Sequence, residues 1–134
     1  MPNEERAPPP AAAMRSALEA YVTRINEGDL AGIMALFEPE AIIEDPVGSP
    51  PKTGGAIRSW FIDTIAYGTR ITPVAPIRGS HANAAALVFD VTFKPPGEAP
   101  ILIRSLDVCT FSAQGLILTL KAYWGPEDMQ PLPR

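Results

Sequence analysis

The sequence predicts an α+β domain in which helices come first and antiparallel strands follow. Three observations carry that prediction. Apolar residues recur at helical spacing as far as Ile65. Beyond Arg70 they alternate with polar ones at the two-residue period of a strand. Two short turn signals, Pro95-Pro96-Gly97 and Ser112 to Gly115, separate the later stretches closely enough to make hairpins.

Each element follows from its own residues. Met14, Leu18, Tyr21 and Ile25 form the apolar stripe of a first helix, with Arg15, Glu19 and Arg24 off it. Gly28 stops that helix, and Asp29 is placed to cap the next. The second helix carries Leu30, Ile33, Met34 and Phe37 and is closed by Pro39. Ala41 to Glu44 reads as a short strand. Asp45 to Thr53 contains Pro46, Gly48, Pro50 and Pro51 and reads as a loop. Thr53 is placed to cap a third helix bearing Ile57, Trp60, Phe61 and Ile65. Leu87, Phe89, Val91 and Phe93 alternate with Val88, Asp90 and Thr92 in a strand. Residues 101–111 form a long strand and 116–124 return beside it. In the returning strand Leu116, Leu118, Leu120 and Trp124 share one parity, Thr119 and Lys121 the other.

Composition narrows the classes. The 134 residues are 46% hydrophobic and 19% charged, which suits one soluble globular domain. Sixteen prolines are the oddity, and seven of them lie near the ends. Residues 1–13 therefore read as a disordered Pro/Ala-rich tail, 14–125 as the domain and 126–134 as a Pro-rich C-terminal tail. A net charge of -4 with no two basic residues adjacent argues against a nucleic-acid partner. One cysteine, Cys109, excludes an intramolecular disulfide and a Cys-based metal site. One histidine, His81, leaves no His cluster, so no metal is expected. No apolar run reaches membrane-spanning length, and Glu4, Glu5 and Arg6 stand where a signal core would be, so a cytoplasmic protein without a membrane partner is expected.

Three residues place a protonatable group on an apolar surface. Asp107 shares strand parity with Ile101, Ile103, Cys109 and Phe111, and a carboxyl there must be paired, hydrogen-bonded or kept neutral. A buried structural Asp or an edge Asp facing water would satisfy the same pattern. Tyr21 lies on the buried stripe of the first helix, where its hydroxyl needs a partner unless its tip reaches the surface. Asp45 ends a strand before the stiff Pro46-Val47-Gly48 loop, a good position for a general base and equally a common turn element. His81 sits in a solvated turn, and Cys109 reads as a small buried hydrophobe. Trp60, Phe61, Phe89, Phe93 and Trp124 suit a core, and an aromatic set of this size would also line a ligand cavity. No phosphate loop, nucleophile elbow or metal-ligand spacing is present.

Ile43-Glu44-Asp45-Pro46-Val47-Gly48-Ser49-Pro50 resembles the catalytic-base loop of bacterial Δ5-3-ketosteroid isomerases. Tyr21, ahead of Gly28-Asp29, is similar to their oxyanion-hole tyrosine. Leu106-Asp107-Val108, then Phe111 and Ala122-Tyr123-Trp124-Gly125, resembles the segment carrying their protonated aspartic acid. The resemblance covers roughly residues 14–125. It implies the cone-shaped fold shared with nuclear transport factor 2 and scytalone dehydratase, three N-terminal helices on a curved antiparallel (mixed) sheet, and a homodimer. It further implies a steroid Δ-isomerase that needs no cofactor. Asp45 would move a proton from C4 to C6 of a 3-oxo-Δ5-steroid, while Tyr21 and neutral Asp107 donate hydrogen bonds to the dienolate oxygen. Ketosteroid isomerase is itself the standard example of two aspartates tuned apart by their surroundings, so that logic is borrowed from the resemblance. Phe61, Phe89, Leu120 and Trp124 are expected to pack against the steroid. Some family members carry two more tyrosines hydrogen-bonded to the oxyanion tyrosine; the matching positions here are Phe37 and Ile62, which have no hydroxyl.

Two other classes fit parts of the pattern. One is another enzyme on the same cone: a polyketide cyclase using a single acid/base, or an epoxide hydrolase, which would want a second Asp around the catalytic water. An epoxide hydrolase would also want an Arg near the water, and Arg104 lies on the opposite strand face from Asp107. A non-catalytic module binding an apolar ligand would use the cavity alone.

Overall fold

The computed structural model describes residues 7–133. Helix α1 runs from Ala11 to Glu27, starting three residues earlier than the apolar stripe predicts. Ala11, Ala12 and Ala13 are the best helix formers available, and the Pro10 carbonyl accepts from the Ala13 and Met14 amides at 2.9 and 3.1 Å. Ala11 also packs on Gly79, where any Cβ would come within 2.7 Å of the Ala11 Cβ. Of the expected N-terminal tail, residues 1–6 lie outside the described residues. Gly28 ends α1 with φ at 69°, in the left-handed region that glycine enters without steric cost.

Helix α2 spans only Leu30–Met34, with Asp29 capping it through a 2.9 Å bond from the Gly32 amide. Phe37 and Pro39, expected to end this helix, belong instead to strand β1, Phe37–Glu44. Pairing with a distant strand overrides the local helical spacing here. Pro39, which cannot donate to a ladder, falls where the β1–β6 register is interrupted between Phe37 and Ile42. The predicted loop carries a two-residue strand, β2 (Lys52–Thr53), antiparallel to β1. Helix α3, Gly55–Ala66, is capped by Gly54 and not by Thr53, which is engaged in β2 opposite Ile42.

The sheet is completed by β3 (Arg70–Pro73), β4 (Ala84–Phe93), β5 (Ile101–Phe111) and β6 (Ile117–Tyr123) in the order β2-β1-β6-β5-β4-β3. Only the β1–β6 pair is parallel. A last strand, β7 (Met129–Pro131), follows a 3₁₀ turn at Pro126–Asp128 and pairs with β5. This corrects the expectation of a plain C-terminal tail. Leu102 and Ile103 offer free ladder positions outside the β6 register, and Gln130 and Met129 take them.

Strand β5 alternates as its sequence predicts, burying Ile103, Ser105, Asp107, Cys109 and Phe111. Strand β6 does not. Ile117, Leu120 and Ala122 are the buried set, because one extra residue enters β6 where Thr110 pairs with Thr119 and Phe111 with Ile117. That bulge reverses the inward parity, and Leu116 and Leu118 are only half-buried. The core lies between the helices and the curved inner face of the sheet, with Met14, Leu18, Phe61, Leu87, Phe111 and Ile117 nearly or fully buried. His81 is exposed in a bend, and Cys109 is wholly buried. Among the described residues no helix is long and apolar enough to cross a membrane.

Candidate active site

The core is not filled at one end. A cavity of about 330 Å³ opens between α1, α3 and the β3–β4–β5 part of the sheet. Tyr21, Asp45 and Asp107 all line it, as do Phe61, Phe89 and Trp124. Three sequence-distant polar groups and three of the four apolar residues expected to hold a ligand therefore meet in one place. Leu120 is the exception. It is 1% exposed, pairs opposite Cys109 and packs in the core without lining the cavity.

Asp45 is the first residue after β1 and keeps the inward parity of Ala41 and Ile43. Its loop is fastened at several points. The Val47 amide donates to the Ala122 carbonyl at 2.8 Å, the Gly48 amide to Glu44 Oε2 at 2.8 Å, and the Ser49 hydroxyl to the Pro46 carbonyl at 2.7 Å. Trp124 Nε1 donates to Asp45 Oδ1 at 2.8 Å, tying together two residues of the cavity wall. Burial raises the Asp45 pKa, while the Trp124 hydrogen bond and the Lys52 charge pull it back. Lys52 Nζ stands 4.2 Å from the ring centre of Trp60, another cavity wall residue.

Asp107 is placed by strand alternation on β5, 2% exposed, and its Oδ1 has no hydrogen-bond partner. Burial first, and the nearby Asp45 charge second, push its pKa well above the ordinary carboxyl range. Two aspartates in one cavity thus differ in their surroundings: half-buried Asp45 has Trp124 and Lys52 opposing the effect of its burial, whereas buried Asp107 has nothing that favours its charged form. A neutral carboxyl is a hydrogen-bond donor, which an ionised one cannot be.

Tyr21 reaches the cavity from the middle of α1. Its ring stands edge-on to Phe37 at 6.4 Å and to Phe61 at 6.2 Å, and those two rings are 5.5 Å apart. Burial is the chief cause that raises its pKa well above the ordinary value, and the acidic groups of Asp107, Cys109 and Asp45 nearby act in the same direction, so the hydroxyl keeps its proton. The second neighbour expected at Ile62 is not there: Ile62 is 45% exposed on the far side of α3, and Phe61 fills the place. Both neighbours of Tyr21 are phenylalanines, so no side-chain hydroxyl supports its own.

Several wall residues were not foreseen. Met129 reaches the rim because β7 pairs with β5, a long-range event with no local signal. Ile71 lines the cavity from β3, a strand too short to read by period. Ser105 could have been found, since it shares the parity of Ile103 and Asp107. The arrangement brings two carboxyls and a phenol together among apolar walls, groups of the kind that acid–base chemistry uses.

The chain is similar to proteins of known family. The SnoaL-like domain family matches residues 18–119. A steroid Δ-isomerase of Nocardioides simplex is 34% identical over 122 residues, covering 91% of this chain and 98% of that one. The epoxide hydrolase LasB of Streptomyces lasalocidi is 30% identical over 112 residues, 81% of this chain and 40% of that protein. Among solved structures SalBIII, described as an epoxide hydrolase/cyclase-like enzyme in pyran ring formation in polyether salinomycin, superposes with a TM-score of 0.82 at 25% identity, covering 89% of this chain and 95% of that one.

Proposed function

The chain belongs to the SnoaL-like family, with enzymes as its relatives, and on that premise we propose that it is a steroid Δ-isomerase converting 3-oxo-Δ5-steroids to 3-oxo-Δ4-steroids. One observation carries the reading: the Asp45 and Asp107 carboxyls and the Tyr21 hydroxyl, distant in sequence, converge on a single largely apolar cavity. Asp45 removes a proton from C4, and the electrons of the broken C–H bond pass into the C3 carbonyl to give a dienolate. Tyr21 and Asp107 donate hydrogen bonds to that oxygen as charge develops on it. The proton on Asp45 then goes to C6, the double bond settles between C4 and C5, and the carboxylate is restored. Phe61, Phe89 and Trp124 hold the steroid plane by apolar contact. The proton that leaves C4 is the one returned at C6, so the step balances with no further proton donor.

The test is direct. Purified protein should convert 5-androstene-3,17-dione to product, read by the absorbance of the conjugated enone. Asp45→Asn should lower the rate by about 10²–10⁴-fold, the usual worth of a positioned base. An inactive wild type, or an Asp45→Asn rate equal to wild type, would overturn the proposal. The epoxide hydrolase and cyclase relatives support a second reading, opening of an epoxide by the same acid/base pair. Against it, no arginine lines the cavity among the described residues, and Arg104 is turned outward toward Asp90 at 4.0 Å. Consumption of an epoxide without enone formation from the Δ5-steroid would favour that reading.

A further inference from the structure

Among the described residues, two buried side-chain polar atoms lack a hydrogen-bond partner: Asp107 Oδ1 and Ser105 Oγ. The first belongs to the chemistry proposed above. The second has no part in it. Ser105 is 7% exposed, pairs opposite Phe89, and stands on the inward face of β5 between Ile103 and Asp107. All three neighbours line the cavity with it.

A hydroxyl in this position weakens the protein unless something binds it, because a buried unpaired donor forfeits its hydrogen bonds to water. Alanine would fill the same space without that penalty. The walls around Ser105 are apolar, with Phe89, Val91, Phe93 and Ile103 on its side of the cavity, so they offer it no partner. A ligand would have to bring one. Two residues along a strand span roughly 6.8 Å, which sets the spacing between the Ser105 and Asp107 side chains. The ring-C edge of a flat tetracyclic steroid lies at a comparable distance from its C3 oxygen.

We propose that Ser105 is a specificity-determining residue whose hydroxyl hydrogen-bonds an oxygen at C11 of a 3-oxosteroid held by its C3 oxygen between Tyr21 and Asp107. The inference rests on the steroid reading and narrows it to ring-C-oxygenated substrates. A hydroxyl is donor and acceptor together, so an 11-keto and an 11β-hydroxy group both satisfy it. The preference arises because an 11-oxygenated ligand gives the Ser105 hydroxyl a partner that it lacks both in the free protein and beside an 11-deoxy ligand.

Fluorescence titration tests it, since Trp60 and Trp124 line the cavity and report occupancy. The probes are androst-4-ene-3,17-dione, its 11β-hydroxy derivative and its 11-keto derivative, all product-like. Wild type should bind the two 11-oxygenated compounds about tenfold more tightly than the 11-deoxy one, the worth of one recovered hydrogen bond. Ser105→Ala should erase that preference, leave the 11-deoxy Kd unchanged, and keep or raise Tm. The same 11-oxy to 11-deoxy ratio in both proteins would overturn the inference and leave the steroid reading intact. Failure of all three steroids to bind wild type would overturn both.

Discussion

Asp45 and Asp107 share a cavity and differ in everything that surrounds their carboxyls. Trp124 Nε1 at 2.8 Å and the Lys52 charge favour the Asp45 anion, whereas Asp107 Oδ1 has no partner and 2% of the residue is exposed. As the base of the proposed isomerisation Asp45 must be ionised to accept a proton, so on that reading kcat/KM should rise as pH climbs through its raised pKa. Trp124→Phe removes the bond that steadies the anion. It should therefore move that acid limb to higher pH, and a pH–rate profile unchanged from wild type would show that the indole only packs. Which residues carry titratable groups on apolar faces is legible from strand and helix parity. The direction each group shifts is not, because it depends on partners 79 residues apart in the case of Asp45 and Trp124.

At the scale of elements, α1 positions Tyr21 and must be fixed against the sheet. Asn26 does this from the last turn. Its Nδ2 donates to the Ile71 carbonyl at 2.9 Å, and its Oδ1 accepts from the Ile71 amide at 2.7 Å. The outer edge of β3, the last strand in the sheet, is thereby closed by a side chain where another strand would otherwise pair. Asn26→Ala should cost about 1–3 kcal/mol by denaturant midpoint with an unchanged m-value, since two partly buried backbone groups lose their partners. A shift below a few tenths would mean that water replaces both bonds. The helical stripe of α1 and the alternation of β5 are plain in the sequence because each buries one face throughout its length. Phe37 and Pro39 were expected in a helix and lie in β1, because the pairing partner of β1 is 80 residues away at Ile117. The expected parity of β6 failed at a bulge of one residue.

For the molecule as a whole, a buried neutral carboxyl links stability to pH. Asp107 has a folded pKa raised above its unfolded one, so its contribution is fully present below the ordinary carboxyl pKa. It is lost as pH rises from there through the folded pKa, at up to about 1.4 kcal/mol per pH unit. Asp107→Asn keeps the shape without that titration. Its stability relative to wild type should therefore improve as pH increases from about 4 toward neutrality, measured by denaturant melts across that range. A difference independent of pH would mean that Asp107 ionises without penalty in the folded state. The sequence by itself determined the α+β class, the strand 101–111, the capped start of α2, and the three protonatable residues that break their surroundings. These are local signals, since a periodic face or a cap is written within a few residues. Only the tertiary structure decided that Tyr21, Asp45 and Asp107 line one cavity, that Leu120 does not, that Phe61 and not Ile62 abuts Tyr21, and that Met129 joins its wall. Each of those depends on pairing and packing between segments far apart in the chain, which no local period encodes.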